Sequence, residues 1–288
     1  MIQERKTETD GSVREMTAKF PRLMENIRKK DPLVQTITNF VTVNDCANMI
    51  LAAGGSPTMA HHVLEVEEAV TKAQALVLNL GAVDDMEAML AAGKAANRAG
   101  VPVVFDPVGV GSTAFRRGWG KKLMENVNFA VIRGNASEIR HLAQGRSSAR
   151  GVDVSGEDRI TEENYKRFGA MARELAEKTG AVVAISGVID IVASPERVFA
   201  LRNGDEMMSR ITGSGCMLTA LTGAFLGANP EDALGSVLCA VSLLGVSGEL
   251  ARERTDEKEG GTSTFRTELI DRVSLADAET VVKRTEME

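Results

Sequence analysis

Three cysteines, Cys46, Cys216 and Cys239, are too few and too scattered for a disulfide framework, and no Cys-x-x-Cys spacing suggests zinc. Histidine is equally scarce. His61 and His62 are adjacent and so cannot share a helix face, and the third is His141, so no histidine metal site is expected. Positive charge is not in excess: 34 Lys and Arg against 40 Asp and Glu give −6, with a pI near 5.4. That balance speaks against a nucleic-acid partner. No run reaches the about 18 uninterrupted apolar residues of a membrane span. Residues 1–16, MIQERKTETDGSVREM, carry charges where a secretory signal needs an apolar stretch. The expectation is a cytoplasmic protein with no membrane association.

What is present is an ordinary globular composition, 43% apolar and 26% charged, over 288 residues. Residues 1–30 are polar, with weak periodicity, and read as an N-terminal tail or surface helix. From residue 31 onwards short apolar runs alternate with helical patterns. The expected strands are 35–41, 75–81, 101–108, 129–135 and 181–187, with a later edge pair at 190–194 and 197–204, read as antiparallel. Helices are expected at 84–100 and 161–180, both stopping at glycine, and as two long apolar helices across 213–253 divided at Asn229-Pro230. The stretch 144–158 reads as a surface excursion. No internal repeat divides the chain. The reading is one α/β domain over 31–288, with a central, mostly parallel sheet covered by helices on both faces.

In such a sheet, ligands bind beyond the carboxyl ends of the strands. Those ends carry Asn79-Leu80-Gly81, Asp106-Pro107-Val108-Gly109, Arg133-Gly134-Asn135 with Glu138 one turn later, and Ser186-Gly187. Taken singly, each has a plainer reading as a turn glycine or a helix cap. Four together point to a site. Asp106 and Glu138 suit Mg²⁺, which favours one or two carboxylates plus phosphate oxygens. Arg133 suits a phosphate. The stretch ITGSGCMLTALTGAF (211–225) places Gly213-Ser214-Gly215 before a helix beginning near Cys216. Its free N–H groups and dipole make an anion site, and the same field is expected to lower the Cys216 thiol pKa. A plainer reading of Cys216 is a small buried helix residue. The Walker pattern is absent, so a nucleotide site would be of another type.

These segments carry a resemblance. TITNFVTVNDCANMILAAGGSPTMA (36–60), LNLGAV (78–83), VPVVFDPVGVGST (101–113), VIRGNASEI (131–139), VVAISGVIDIV (182–192) and ITGSGCMLTALTGAF resemble, in collinear order, the hydroxyethylthiazole kinases of thiamine salvage. The resemblance implies a ribokinase-like fold and ATP-dependent, Mg²⁺-assisted phosphorylation of the primary hydroxyl of 4-methyl-5-(2-hydroxyethyl)thiazole. Most ribokinase-like enzymes carry Gly-x-Gly-Asp, the aspartate being the catalytic base; here Cys216 holds that position, as it does in the thiazole kinases. By the same resemblance Met59, Gly213, Asn39 and Asn44 bind the thiazole. Arg133, Ser186 and Asn135 bind ATP, and Gly213, Ser214 and Gly215 form the anion hole. Asp106 and Glu138 serve the metal. The family also implies a homotrimer with pockets at subunit interfaces. Outside the match lie residues 1–30; the excursion 144–158 holds only GVDVSG, similar to a family segment, and GTSTFRTELIDRVSLA near the end fits a closing helix weakly. Two alternatives stand beside this reading. One is a hydroxymethylpyrimidine or pyridoxal kinase on the same fold, against which Cys216 counts. The other is a nucleotide-sensing module without turnover.

Overall fold

Side chains alternate between the two faces of a strand, so a strand that is apolar throughout has to be covered twice. The computed structural model, which describes residues 11–144 and 159–288, shows that covering. Val34, Val77, Val104 and Val131 belong to one buried layer. Leu76, Leu78, Val103, Phe105 and Ile132 belong to the other. The strands are β1 (Leu33–Ile37), β2 (Ser56–Thr58), β3 (Ala75–Asn79), β4 (Val103–Asp106), β5 (Val131–Asn135), β6 (Val182–Ser186), β7 (Asp190–Ala193) and β8 (Val198–Leu201). They form one sheet in the order β2-β1-β3-β4-β5-β6-β7-β8. β1 to β6 pair in parallel, and β7 and β8 add an antiparallel edge, as expected from the sequence. β2 was not foreseen, because three residues are too few to show a period. The first expected strand, 35–41, sits earlier at Leu33–Ile37, and the chain turns at Asn39, whose carbonyl accepts from Thr42 N–H at 3.2 Å.

Helices Phe20–Lys30, Val43–Ala53, Ser214–Ala228, Ala233–Glu257 and Thr262–Leu275 cover one face. Val66–Thr71, Met86–Ala99 and Tyr165–Thr179 cover the other. Ala233–Glu257 is long and apolar enough to cross a membrane, but 78% of its apolar window is buried inside the protein. It is a core helix. The expected excursion at 144–158 lies, from residue 145, outside the described residues.

Within the stretch read as a tail or surface helix, Phe20–Lys30 is a helix with one face in the core. Phe20, Leu23, Met24 and Ile27 are all buried, a helical stripe at i, i+3, i+4 and i+7. Charges on the other face (Arg22, Glu25, Arg28, Lys29) masked that stripe in the sequence. Asn26 Nδ2 donates to Asn229 Oδ1 at 2.6 Å, and Asn229 Nδ2 donates to the carbonyls of Leu23 (3.2 Å) and Phe225 (3.0 Å). Asn229 is fully buried. It closes the C-terminus of Ser214–Ala228 and ties it to the first helix.

At the far edge, Asp190 Oδ1 accepts from Gly187 N–H at 2.9 Å and closes the β6–β7 hairpin. Burial pushes its carboxyl up from 3.8 to about 6, against the pull of the Gly187 N–H and Arg133.

Two outcomes are expected. Asn229→Leu keeps the volume but strands the amide's buried partners. It should destabilise the fold by about 2–4 kcal/mol in urea unfolding, and a loss under about 0.5 kcal/mol would dismiss the tie. For Asp190 the folded pKa is raised, so the folded state holds a proton that the unfolded state has released. Its contribution is therefore full below 3.8 and is lost as pH rises through about 6. Asp190→Asn should flatten that decline in a series of melting temperatures; an unchanged slope would exclude Asp190 as its source.

Candidate active site

Parallel pairing brings the polar strand ends side by side. Asn79 lies opposite Asp106 across β3–β4, and Asn135 opposite Ser186 across β5–β6. Helix Ser214–Ala228 starts directly over this edge. Its N-cap, Gly213, has φ +83°, and a Cβ there would come within 2.4 Å of Thr42 Cγ2. A Cβ on Gly215 would come within 2.6 Å of Arg133 Nη1. Glycine at these two positions lets the helix end settle on the guanidinium. A cation packed against the positive end of a helix is unfavourable unless an anion joins them. Two positive features thus converge where the sequence predicted an anion hole at Gly213, Ser214 and Gly215.

The resident counter-charge is Asp106, with no exposure to solvent. Its Oδ2 accepts from Thr219 Oγ1 at 2.7 Å and Asn79 Nδ2 at 3.2 Å, and lies 3.7 Å from Arg133 Nη1. Its Oδ1 is buried without a partner. Burial pushes the Asp106 carboxyl up, while Arg133 and Thr219 pull it back. Arg133 Nε also donates to Ser186 Oγ at 3.1 Å.

Glu138 and Asn135 form a capping box at the start of helix Ala136–Gln144. Asn135 Oδ1 accepts from Glu138 N–H at 2.9 Å, and Glu138 Oε2 accepts from Asn135 N–H at 2.8 Å. Glu138 Oε1 accepts from Gly109 N–H at 2.8 Å, so it also fixes the loop after β4. Burial, and then the neighbouring Asp106, push Glu138 up to about 7.

Cys216 sits in the first turn of its helix, and its Sγ receives N–H from Asn79 Nδ2 at 3.2 Å and Asn39 Nδ2 at 3.5 Å. The expected fall in its pKa does not occur. Burial, and then Asp106, raise the thiol; the hydrogen bonds and Arg133 only moderate the rise. Desolvation next to a buried carboxylate outweighs the hydrogen bonds and Arg133.

Asn39 therefore belongs to the cluster. Met59 packs against the same layer as Cys216. Asn44 does not join them: it is exposed and accepts from Asn48 Nδ2 at 3.0 Å. Sequence reasoning noted Asn79 as a polar strand end but gave it no role. It missed Thr219, whose only signal was a hydroxyl one turn beyond Cys216. It also missed Arg116, whose Nη1 donates to the carbonyls of Leu80 (2.9 Å) and Val108 (2.8 Å) and ties together the loops after β3 and β4. Among the described residues no group of three or more His, Cys, Asp or Glu side chains is placed to hold a metal.

The chain is similar to known proteins over most of its length. The model of the Hydroxyethylthiazole kinase family matches residues 24–279. A hydroxyethylthiazole kinase of Desulfovibrio desulfuricans is 48% identical over 267 residues, covering 90% of this chain and 94% of its own. One of Clostridium acetobutylicum is 44% identical over 258 residues, covering 89% and 94%. The solved hydroxyethylthiazole kinase of Pyrococcus horikoshii OT3 superposes with a TM-score of 0.81 at 32% identity, covering 93% of this chain and 98% of that one. A pyridoxal kinase of Bacillus subtilis, at 14% identity and a TM-score of 0.54, shares the ribokinase-like fold alone. With the sheet, the polar strand ends and the glycine-framed Cys216 all in place, the chain belongs to the hydroxyethylthiazole kinase family.

Proposed function

We propose that the cluster around Asp106 and Cys216 carries the phosphoryl transfer from ATP to the hydroxyl of hydroxyethylthiazole. The observation that carries this reading is the meeting of Arg133, the N-terminus of Ser214–Ala228 and the unpartnered Asp106 Oδ1 at one point. Arg133 and the free N–H groups of Ser214, Gly215 and Cys216 stabilise the charge on the phosphoryl group in flight. Ser186 and Asn135 line the nucleotide side with Arg133. Met59, Asn39 and Gly213 hold the thiazole with its hydroxyl towards Cys216, and the exposed Asn44 has no part in it.

The donors fit Mg²⁺: hard carboxylate oxygens, one of them buried and unpartnered. Asp106 and Glu138 would hold it, and when bound it would neutralise phosphate charge. Cys216 stands as an uncharged thiol in the protein by itself, because burial raises it. As a thiol its sulfur accepts a hydrogen bond that orients the substrate hydroxyl; only the thiolate, formed once the thiol proton has left to solvent, would take up the hydroxyl proton. A loose transition state asks little more, since bond breaking to the leaving group runs ahead of proton loss.

Phe40 (87% exposed), Leu64 (88%), Val41, Leu51 and Val63 leave apolar surface uncovered. Phe40 follows Asn39 directly, so a second copy seated here would close the thiazole pocket. The homotrimer belongs to this proposal, as does a cytoplasmic location, where ATP is at hand. Replacing Phe40 and Leu64 by Glu should dissociate the assembly in sedimentation and raise the thiazole KM; an unchanged sedimentation coefficient would remove this surface from the interface.

The reaction is tested by ADP release with Mg-ATP and hydroxyethylthiazole, with hydroxymethylpyrimidine and pyridoxal run in parallel. Turnover with the thiazole alone is expected, and turnover with either other alcohol instead would withdraw the substrate roles. In the same assay Cys216→Ala should keep part of its activity, within about 10–100-fold of the parent, as for loss of one acid–base group. Cys216→Asp should retain or raise it. A dead, folded Cys216→Asp would show that the thiol itself is required.

A further inference from the structure

Asn79 is 1% exposed, and its side chain is fully engaged. The amide oxygen accepts from Gly81 N–H at 2.8 Å and lies 3.4 Å from Asn39 Nδ2. The amide nitrogen donates to Asp106 Oδ2 at 3.2 Å and to Cys216 Sγ at 3.2 Å. A backbone N–H can only donate, so the bond from Gly81 fixes the oxygen and leaves both amide hydrogens for Asp106 and Cys216. One planar group therefore sets the distance between the carboxylate and the sulfur.

The sheet does not require this arrangement. Leu80 N–H already continues the β3–β4 pairing by donating to Asp106 O at 2.8 Å. The side chain supplies something else. With Thr219, it occupies one oxygen of Asp106, while the other, Oδ1, stays buried without a partner. An aspartate of the same shape could still accept from Gly81, but it would turn lone pairs towards a buried carboxylate. A hydrophobic residue would leave Asp106 and Cys216 short of a donor each.

We propose that Asn79 is a positioning residue for phosphoryl transfer, which locks the Cys216 sulfur in register with the Asp106 carboxylate. This rests on the roles assigned to those two residues above. Its effect falls on the chemical step, because neither of its amide hydrogens is left for a substrate.

The test is a kinetic cycle on the intact enzyme with Asn79→Ala, Cys216→Ala and the double variant, and Asn79→Ala with Met59→Ala as a second cycle. Asn79→Ala should lower kcat by about 30-fold or more, as expected for a buried donor pair. Thiazole affinity, measured by calorimetry without nucleotide, should change by less than about threefold, since no ground-state contact is removed. The loss should shrink by at least about threefold in the Cys216→Ala background and stay undiminished in the Met59→Ala background. Equal losses in all backgrounds would overturn the proposal, because Asn79 would then act on the fold at large. Asn79→Asp, which keeps the volume and the Gly81 bond, provides a second reading should the alanine variant fail to fold. A folded Asn79→Asp with parental kcat would also overturn it, since the donors are what the proposal invokes. Absence of thiazole turnover in the parent protein would instead defeat the underlying reaction and leave the cycle without a signal to divide.

Discussion

A carboxylate removed entirely from water is the constraint around which this molecule is arranged. Left alone, a buried Asp106 would simply keep its proton. Here it is surrounded by a guanidinium, a hydroxyl and an amide, each drawn from a different element: Arg133 from β5, Thr219 from the helix above, Asn79 from β3. Those partners have to arrive from three directions, and the parallel register of β3, β4 and β5 delivers two of them to the same edge. The third depends on how closely the helix can descend. Glycine at 213 and 215 removes the side chains that would strike Thr42 and Arg133.

The same arrangement explains the behaviour of the thiol. Arg133 and the side-chain hydrogen bonds from Thr42 and Asn79 favour a thiolate. Burial beside Asp106 opposes them and prevails. Two positive features, Arg133 and the helix N-terminus, meet beside Asp106 as their resident counter-charge. A strong resident base would be a second buried negative charge next to Asp106 and Glu138, where carboxyls are already pushed up.

Much of this was legible in the sequence for a physical reason. Doubly covered strands are continuously apolar, so β3 to β6 stood out, and their polar C-terminal residues stood out against that background. Asp106, Arg133 and, one turn later, Glu138 were singled out in this way, and Cys216 by the glycines that open its helix. What escaped depended on three-dimensional context. The first helix hid its stripe Phe20, Leu23, Met24 and Ile27 among charges. Thr219 and Arg116 lie on helix faces whose direction only packing reveals. The sign of the Cys216 shift could not be read at all, because a local dipole is visible in sequence whereas desolvation by distant elements is not.

One further consequence follows from the tie between Asn26 and Asn229, which are 203 positions apart. The first helix has its apolar stripe ready early in synthesis, yet the elements that bury it emerge last. At about 5–20 residues per second, a ribosome would need roughly 10–40 s to supply the missing partner. For that interval the nascent chain carries an uncovered amphipathic segment. Closure of this face must then be among the latest events in its maturation, and chaperone contact would concentrate at its beginning rather than its middle.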